Sequence, residues 1–157
     1  DLLRKIVIVD ALPCLMALTN PNFQSVTNKD CSDLVDQMTA MPDDQFSQMQ
    51  KMSALSLTTN SSKIDEILNW GITSDRKTFA EIFCDFSNTD LRTRIQNINI
   101  PSLVLLEPHF KHIASSINEQ YKNLPNAQIK YATKGLHFIM FDDNEWFIDQ
   151  LKSFLKE

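Results

Sequence analysis

Glycine is nearly absent from this chain: Gly71 and Gly135 are the only two in 157 residues. Turns that need a backbone conformation other residues take reluctantly are therefore confined to few places, and the loop around Gly135, which also holds His137, is one of them. Long hydrophobic runs are missing too. Stretches such as IVIV and LVLL fall far short of the ~20 residues that span a bilayer, so no membrane crossing is expected. The opening DLLRKIVIVD has no extended apolar signal core and no small-residue cleavage site. There is no basic stripe: the net charge of -5 comes from acids and bases interleaved along the chain, which argues against nucleic acid as a partner. Cysteine is scarce. Cys14, Cys31 and Cys84 are odd in number and widely spaced, which fits neither a disulfide framework nor a C-x-x-C zinc motif. They read as free, mostly buried thiols, with one disulfide between two of them left open.

What is present is enough for one domain with its own core, given a hydrophobic content of 43% over this length. RKIVIVD is a continuous β-branched run, the pattern of a strand buried on both faces in a parallel sheet, with Asp10 at its carboxyl end. ALPCLMALTNPNFQSVTN reads as an irregular excursion. Four helical segments follow. The first sets Leu34, Val35 and Met38 on one face; the second begins at Pro42 and repeats Phe46, Met49, Met52 and Leu55; the third is capped by Asn60 or Ser61 and closed by Gly71. The fourth is capped by Ser74 and buries Phe79, Ile82, Phe83 and Phe86. SLVLLE is a second buried strand, KHIASSINEQYKNL a helix with Ile113, Ile117, Tyr121 and Leu124 on one side, and AQIKYA a third strand. The last helix, capped by Asn144, packs through Phe147, Ile148, Leu151 and Phe154, with Trp146 against the sheet. Strands that alternate with helices make this an α/β chain with a parallel sheet. Three strands are few for such a sheet, which sets the expectation of further strands before Asp1.

In KIVIVDALP, DLRTRIQNINIPSLVLL and NAQIKYATKGLHFIMFDDNEWFIDQLKSFL the chain resembles the C-terminal half of an α/β-hydrolase-fold protein, a capped serine hydrolase. The resemblance implies a core strand in residues 1–12, an inserted helical cap over 13–97, and the C-terminal part of the core with its histidine loop over 98–157. It makes His137 the triad histidine, which takes a proton from a serine and hands it to the leaving group. The fold most often places the acid after the strand SLVLLE, but Phe110 stands there and Glu107 falls slightly early. A minority of the fold, including haloalkane dehalogenases, places it at the end of the strand after the nucleophile helix, where Asp10 stands. Asp10 is thus the expected acid and Glu107 the reserve, while Asp142 and Asp143 read as caps of the final helix. Two glycines so far apart make no G-x-S-x-G elbow. The resemblance therefore places the serine outside this chain, in a preceding N-terminal segment or second chain that completes the fold.

His109 and His112 lie three apart beside Glu107, at helical spacing, but no second carboxylate or cysteine lies near, so they read as a loop lip or solvated helix start and no metal or cofactor is expected. Met38, Met49, Met52 and Phe83 are candidates to line an adaptable apolar pocket for a small-molecule substrate, set against the ordinary reading of helical methionine as core. The expected activity is esterase-like cleavage of an ester or similar acyl bond of a small, largely apolar substrate by Ser-His-Asp chemistry. A non-catalytic binding protein on the same fold, or an aspartate-nucleophile hydrolase such as a dehalogenase, are the alternatives. The compartment is not fixed by these residues: the chain reads as soluble, and similar bacterial proteins are often exported, which leaves an exported or periplasmic protein open.

Overall fold

The computed structural model describes residues 3–156; the outermost positions of the expected first and last segments, 1–2 and 157, lie outside the described residues. In chain order the elements are β1 (Ile6–Val9), α1 (Ser32–Ala40), α2 (Asp43–Leu57), α3 (Ile64–Thr73), α4 (Arg76–Asn88), β2 (Ser102–Leu106), α5 (Ala114–Tyr121), β3 (Ala127–Tyr131), α6 (Ile139–Asp142) and α7 (Asn144–Lys156). They form two compact units. One runs up to Pro13, takes in Leu57–Asn60 and resumes from Leu91; the other comprises Cys14–Ser56 and Ser61–Asp90. Residues 57–60 and 91–97, read from the sequence as part of the helical insertion, thus group with the sheet.

The sheet unit is a three-stranded parallel sheet in the order β1-β2-β3, with Ile6 opposite Ser102 and Ser102 opposite Ala127. Only β2 is buried along its whole length, because it alone has a neighbour on each side. β1, expected to be covered on both faces, is half-buried as an edge strand. Leu103 and Leu105 of β2 form a core with Phe154 of α7, joined by Val7, Trp146, Phe147 and Leu151. Lys5 donates to the Phe154 carbonyl at 2.6 Å, placing a cation at the negative end of α7. The segment before α5 winds as a 3-10 turn over Pro108–Ile113, so Ile113, expected on the buried face, is exposed while Ile117 and Tyr121 are buried. Between β3 and α7 the expected loop contains the extra turn α6.

The helical unit has its own core of Met38, Phe46 and Ala80, with Leu34, Val35, Met41, Met49 and Phe79 packed against it. The buried residues of α2 are Phe46, Gln50 and Ala54, four apart. A three-residue repeat drifts around a helix of 3.6 residues per turn, which carries Met52 and Leu55 out to solvent. On α4 the buried residues are Ala80 and Cys84, small enough to let α1 approach, and Ile82, Phe83 and Phe86 are exposed. A disulfide joins Cys31, at the start of α1, to Cys84. This corrects the reading of three thiols and takes up the disulfide that reading left open; Cys14 stands outside the disulfide and is buried. Asp75, not Ser74, caps α4 by accepting from the Thr78 amide at 2.8 Å. Ser74 instead ends α3, its hydroxyl donating to the Trp70 carbonyl at 2.7 Å. Gly71 lies inside α3 rather than after it; a Cβ there would stand 2.4 Å from Gln50 Oε1.

Candidate active site

Asp10 follows β1 directly, and its amide continues the sheet ladder by donating to the Leu105 carbonyl at 2.7 Å. Its φ of 44° is left-handed, a conformation aspartate tolerates better than most side chains. That twist ends the strand and leaves the carboxylate among the carboxyl ends of the strands. Only 3% of the Asp10 side-chain surface is exposed. A buried carboxylate needs donors, and here it has two: the Glu107 amide at 2.7 Å on Oδ1 and His137 Nδ1 at 2.9 Å on Oδ2.

His137 reaches this carboxylate from the loop between β3 and α6. Because an ionised carboxylate can only accept, Nδ1 carries the proton it donates, and the neutral ring keeps its lone pair on Nε2. That is the tautomer a general base requires. With 47% of its side-chain surface exposed, the ring remains open to a reactant. The hydrogen bond to Asp10 raises the His137 pKa above the ordinary imidazole value; burial opposes it, and the charges of Asp10 and Glu107 add to it.

Glu107, the reserve acid, stands just past β2 and contributes its backbone amide to Asp10. Its own carboxyl is pushed up, first by burial and then by the Asp10 charge; it lies 3.6 Å from His109 Nδ1. Asp10, not Glu107, therefore hydrogen-bonds the histidine. Phe110 stays in the 3-10 turn, its amide donating to the Glu107 carbonyl at 3.3 Å. Among the described residues no three His, Cys, Asp or Glu side chains gather as a metal site would require.

Sequence reasoning missed several residues that support this pair. Tyr121, read only as part of an apolar helix face, donates its hydroxyl to the carbonyl of Ala11, next to the acid. Burial, then the Asp10 charge, pushes its phenol pKa up. Asp142 and Asp143, read as helix caps, turn the other way. Asp143 accepts from the Thr133 amide at 2.8 Å and hydroxyl at 2.7 Å. Asp142 accepts from the Leu136 amide at 2.8 Å and from the segment 57–60. Burial pushes the Asp142 carboxyl up, but these donors outweigh it and hold its pKa below the ordinary value.

The four pocket candidates lie in the helical unit and differ in placement. Met38 is buried in the core there, with 9% of its surface exposed, and Met49 packs against that core. Met52 is 61% exposed. Phe83, 48% exposed, lines a largely apolar groove along α4 with Phe79, Ile82 and Phe86.

No protein-family model matches the chain, and no curated protein matches it in sequence. Solved structures do match in fold. An enol-lactonase from Burkholderia xenovorans LB400 superposes with a TM-score of 0.71 at 12% identity, over 99% of this chain and 57% of that one. A bromoperoxidase from Bacillus anthracis gives 0.70 at 16% identity, over 98% and 58%. An alpha/beta fold family hydrolase from Bacillus anthracis str. Sterne gives 0.60 at 13% identity, over 96% and 58%. This chain thus spans under three fifths of the length of the structures it matches, and at these identities the likeness carries the fold alone. With its parallel strands, its histidine loop and its closing helix, the chain has the fold of the C-terminal part of an α/β-hydrolase.

Proposed function

We propose that this chain carries the acid and the base of a Ser-His-Asp hydrolase, with the serine supplied by sequence outside it. The single observation that carries the reading is the His137 Nδ1 contact with a buried, doubly hydrogen-bonded Asp10 at 2.9 Å. In this mechanism Nε2 of His137 takes the serine proton as the hydroxyl attacks an acyl carbon, then returns it to the leaving oxygen. Asp10 fixes the tautomer and stabilises the imidazolium that forms. Water attacks the acyl-enzyme by the same route in reverse order. The substrate class is an ester or similar acyl bond of a small, largely apolar molecule, in keeping with the enol-lactonase among the similar folds. The completing partner is a preceding N-terminal segment or a second chain, and the Cys31–Cys84 disulfide favours an oxidising compartment, in line with export.

The test is expression of the chain together with the reading frame directly upstream, followed by labelling with a fluorophosphonate. A serine outside this chain should take the label, and His137→Ala should slow labelling by roughly 10²–10⁴-fold, the usual contribution of a general base. Absence of a labelled serine, or labelling as fast in His137→Ala, would overturn the reading.

A further inference from the structure

Nearly half of the His137 side chain is open to solvent. Both neighbours of His137 are pinned. The Leu136 amide donates to Asp142 Oδ2 at 2.8 Å, and the Phe138 amide donates to the Leu57 carbonyl at 2.9 Å. Asp142 connects the two pins. Besides Leu136, its carboxylate accepts from the Thr58 hydroxyl at 2.5 Å, the Thr59 amide at 2.9 Å and the Asn60 amide at 3.1 Å. A carboxylate offers about four acceptor positions, so these four donors fill it. The Asn60 side chain adds a bond to the Phe141 carbonyl at 3.2 Å.

Gly135 shows how closely this is built. Its φ of 92° is left-handed, and a Cβ there would stand 2.2 Å from the Asp142 Cβ. No residue with a side chain fits while Asp142 stays where it is. One of two glycines in the chain therefore serves the approach of Asp142 to the histidine loop.

We propose that Asp142 is a positioning residue for His137: by tying Leu136 to residues 58–60 it holds the imidazole in line with Asp10. The proposal rests on the reading of His137 and Asp10 as the acid–base pair. Asp142 touches no reacting atom and acts only through the loop. An asparagine at this position would keep one acceptor oxygen and turn an NH₂ group toward donors, so at least one amide among Leu136, Thr59 and Asn60 would lose its partner. The loop would then shift or sample other positions, and the short bond between His137 and Asp10 would be populated less.

The experiment follows the histidine ring signals of the chain against pH by NMR; with His109, His112 and His137 as the three histidines, assignment is direct. Asp10→Asn, Asp142→Asn and Thr58→Val are compared with the unmodified chain. The His137 midpoint should start above the ordinary imidazole value and fall toward it in Asp10→Asn. Asp142→Asn should lower it in the same direction, and Thr58→Val should do so by less. Thr58→Val keeps both carboxylates, so its shift reports position rather than lost charge, and it decides the question should Asp142→Asn fail to fold. If Asp10→Asn moves the midpoint while both other variants leave it unchanged, the positioning role is overturned and the pair stands. If Asp10→Asn leaves it unchanged, the pair itself is overturned, and the positioning role with it.

Discussion

In the proposed mechanism His137 acts as a base only when its ring is neutral, and its bond to Asp10 keeps the ring charged to higher pH than a free imidazole. On that mechanism, activity of the completed protein should rise with pH through a midpoint above the ordinary imidazole value. Asp10→Asn should move that limb to lower pH while lowering the maximal rate by up to ~10⁴-fold, because an amide no longer enforces the productive tautomer. A pH series of fluorophosphonate labelling rates checks both effects; a limb that stays in place in Asp10→Asn counts against the pair. Stability has the opposite sign. A folded pKa raised above the unfolded one gives a contribution fully present below the unfolded value and lost as pH rises through the folded one. Solvent screening keeps that contribution small, since the ring is half open. The residues of the pair were legible in sequence because strand, loop and helix follow one another around them and resemble a known fold. The support from Asp142 was not. Its partner Thr58 lies 84 residues away, and local spacing sees only the helix that follows, which is why the carboxylate reads as a cap.

At the scale of elements, α2 and α3 meet where Gly71 lets Gln50 lie against the helix backbone. Gly71→Ala would gain about 1 kcal/mol of helix propensity. The new Cβ, however, meets not only Gln50 Oε1 at 2.4 Å but also Gln50 Cβ at 3.3 Å, and the stem of a buried side chain cannot swing clear as its tip can. Overpacking of this kind costs about 1–3 kcal/mol, so the net effect should be a loss. Urea denaturation of Gly71→Ala, Gln50→Ala and the double variant measures it. In the double variant the penalty of the added methyl should vanish, and an additive cycle would show that the contact is not what matters. The strands and most helices were readable from their periodicity, since a buried central strand and an amphipathic helix follow directly from burial. Helix ends were less readable. Ser74 and Asp75 are adjacent, both able to cap, and the choice turns on where α3 stops. The rotation of α4 was also hidden, because its aromatic stripe is stronger than the Ala80 and Cys84 face that the fold buries.

For the whole molecule, the consequential covalent feature is the disulfide that spans 53 residues between Cys31 and Cys84. Both cysteines belong to the helical unit, in which Met38, Phe46 and Ala80 form one buried cluster with partly covered neighbours. Closing a loop of that length removes chain entropy from the unfolded state worth about 4 kcal/mol. This is a large share of the several kcal/mol by which domains are stable. The sheet unit holds no cysteine, so reduction should weaken the helical unit selectively. Oxidised protein should yield one alkylatable thiol, from Cys14, and only after unfolding, because that side chain is buried; reduced and unfolded protein should yield three. Reduction, or the pair Cys31→Ser and Cys84→Ser, should then lower Tm and speed amide exchange in α1 and α4 while β2 keeps its protection. Three thiols without reductant would remove the disulfide and, with it, the argument for an oxidising compartment. Equal loss of protection in β2 would instead mean that the two units unfold as one.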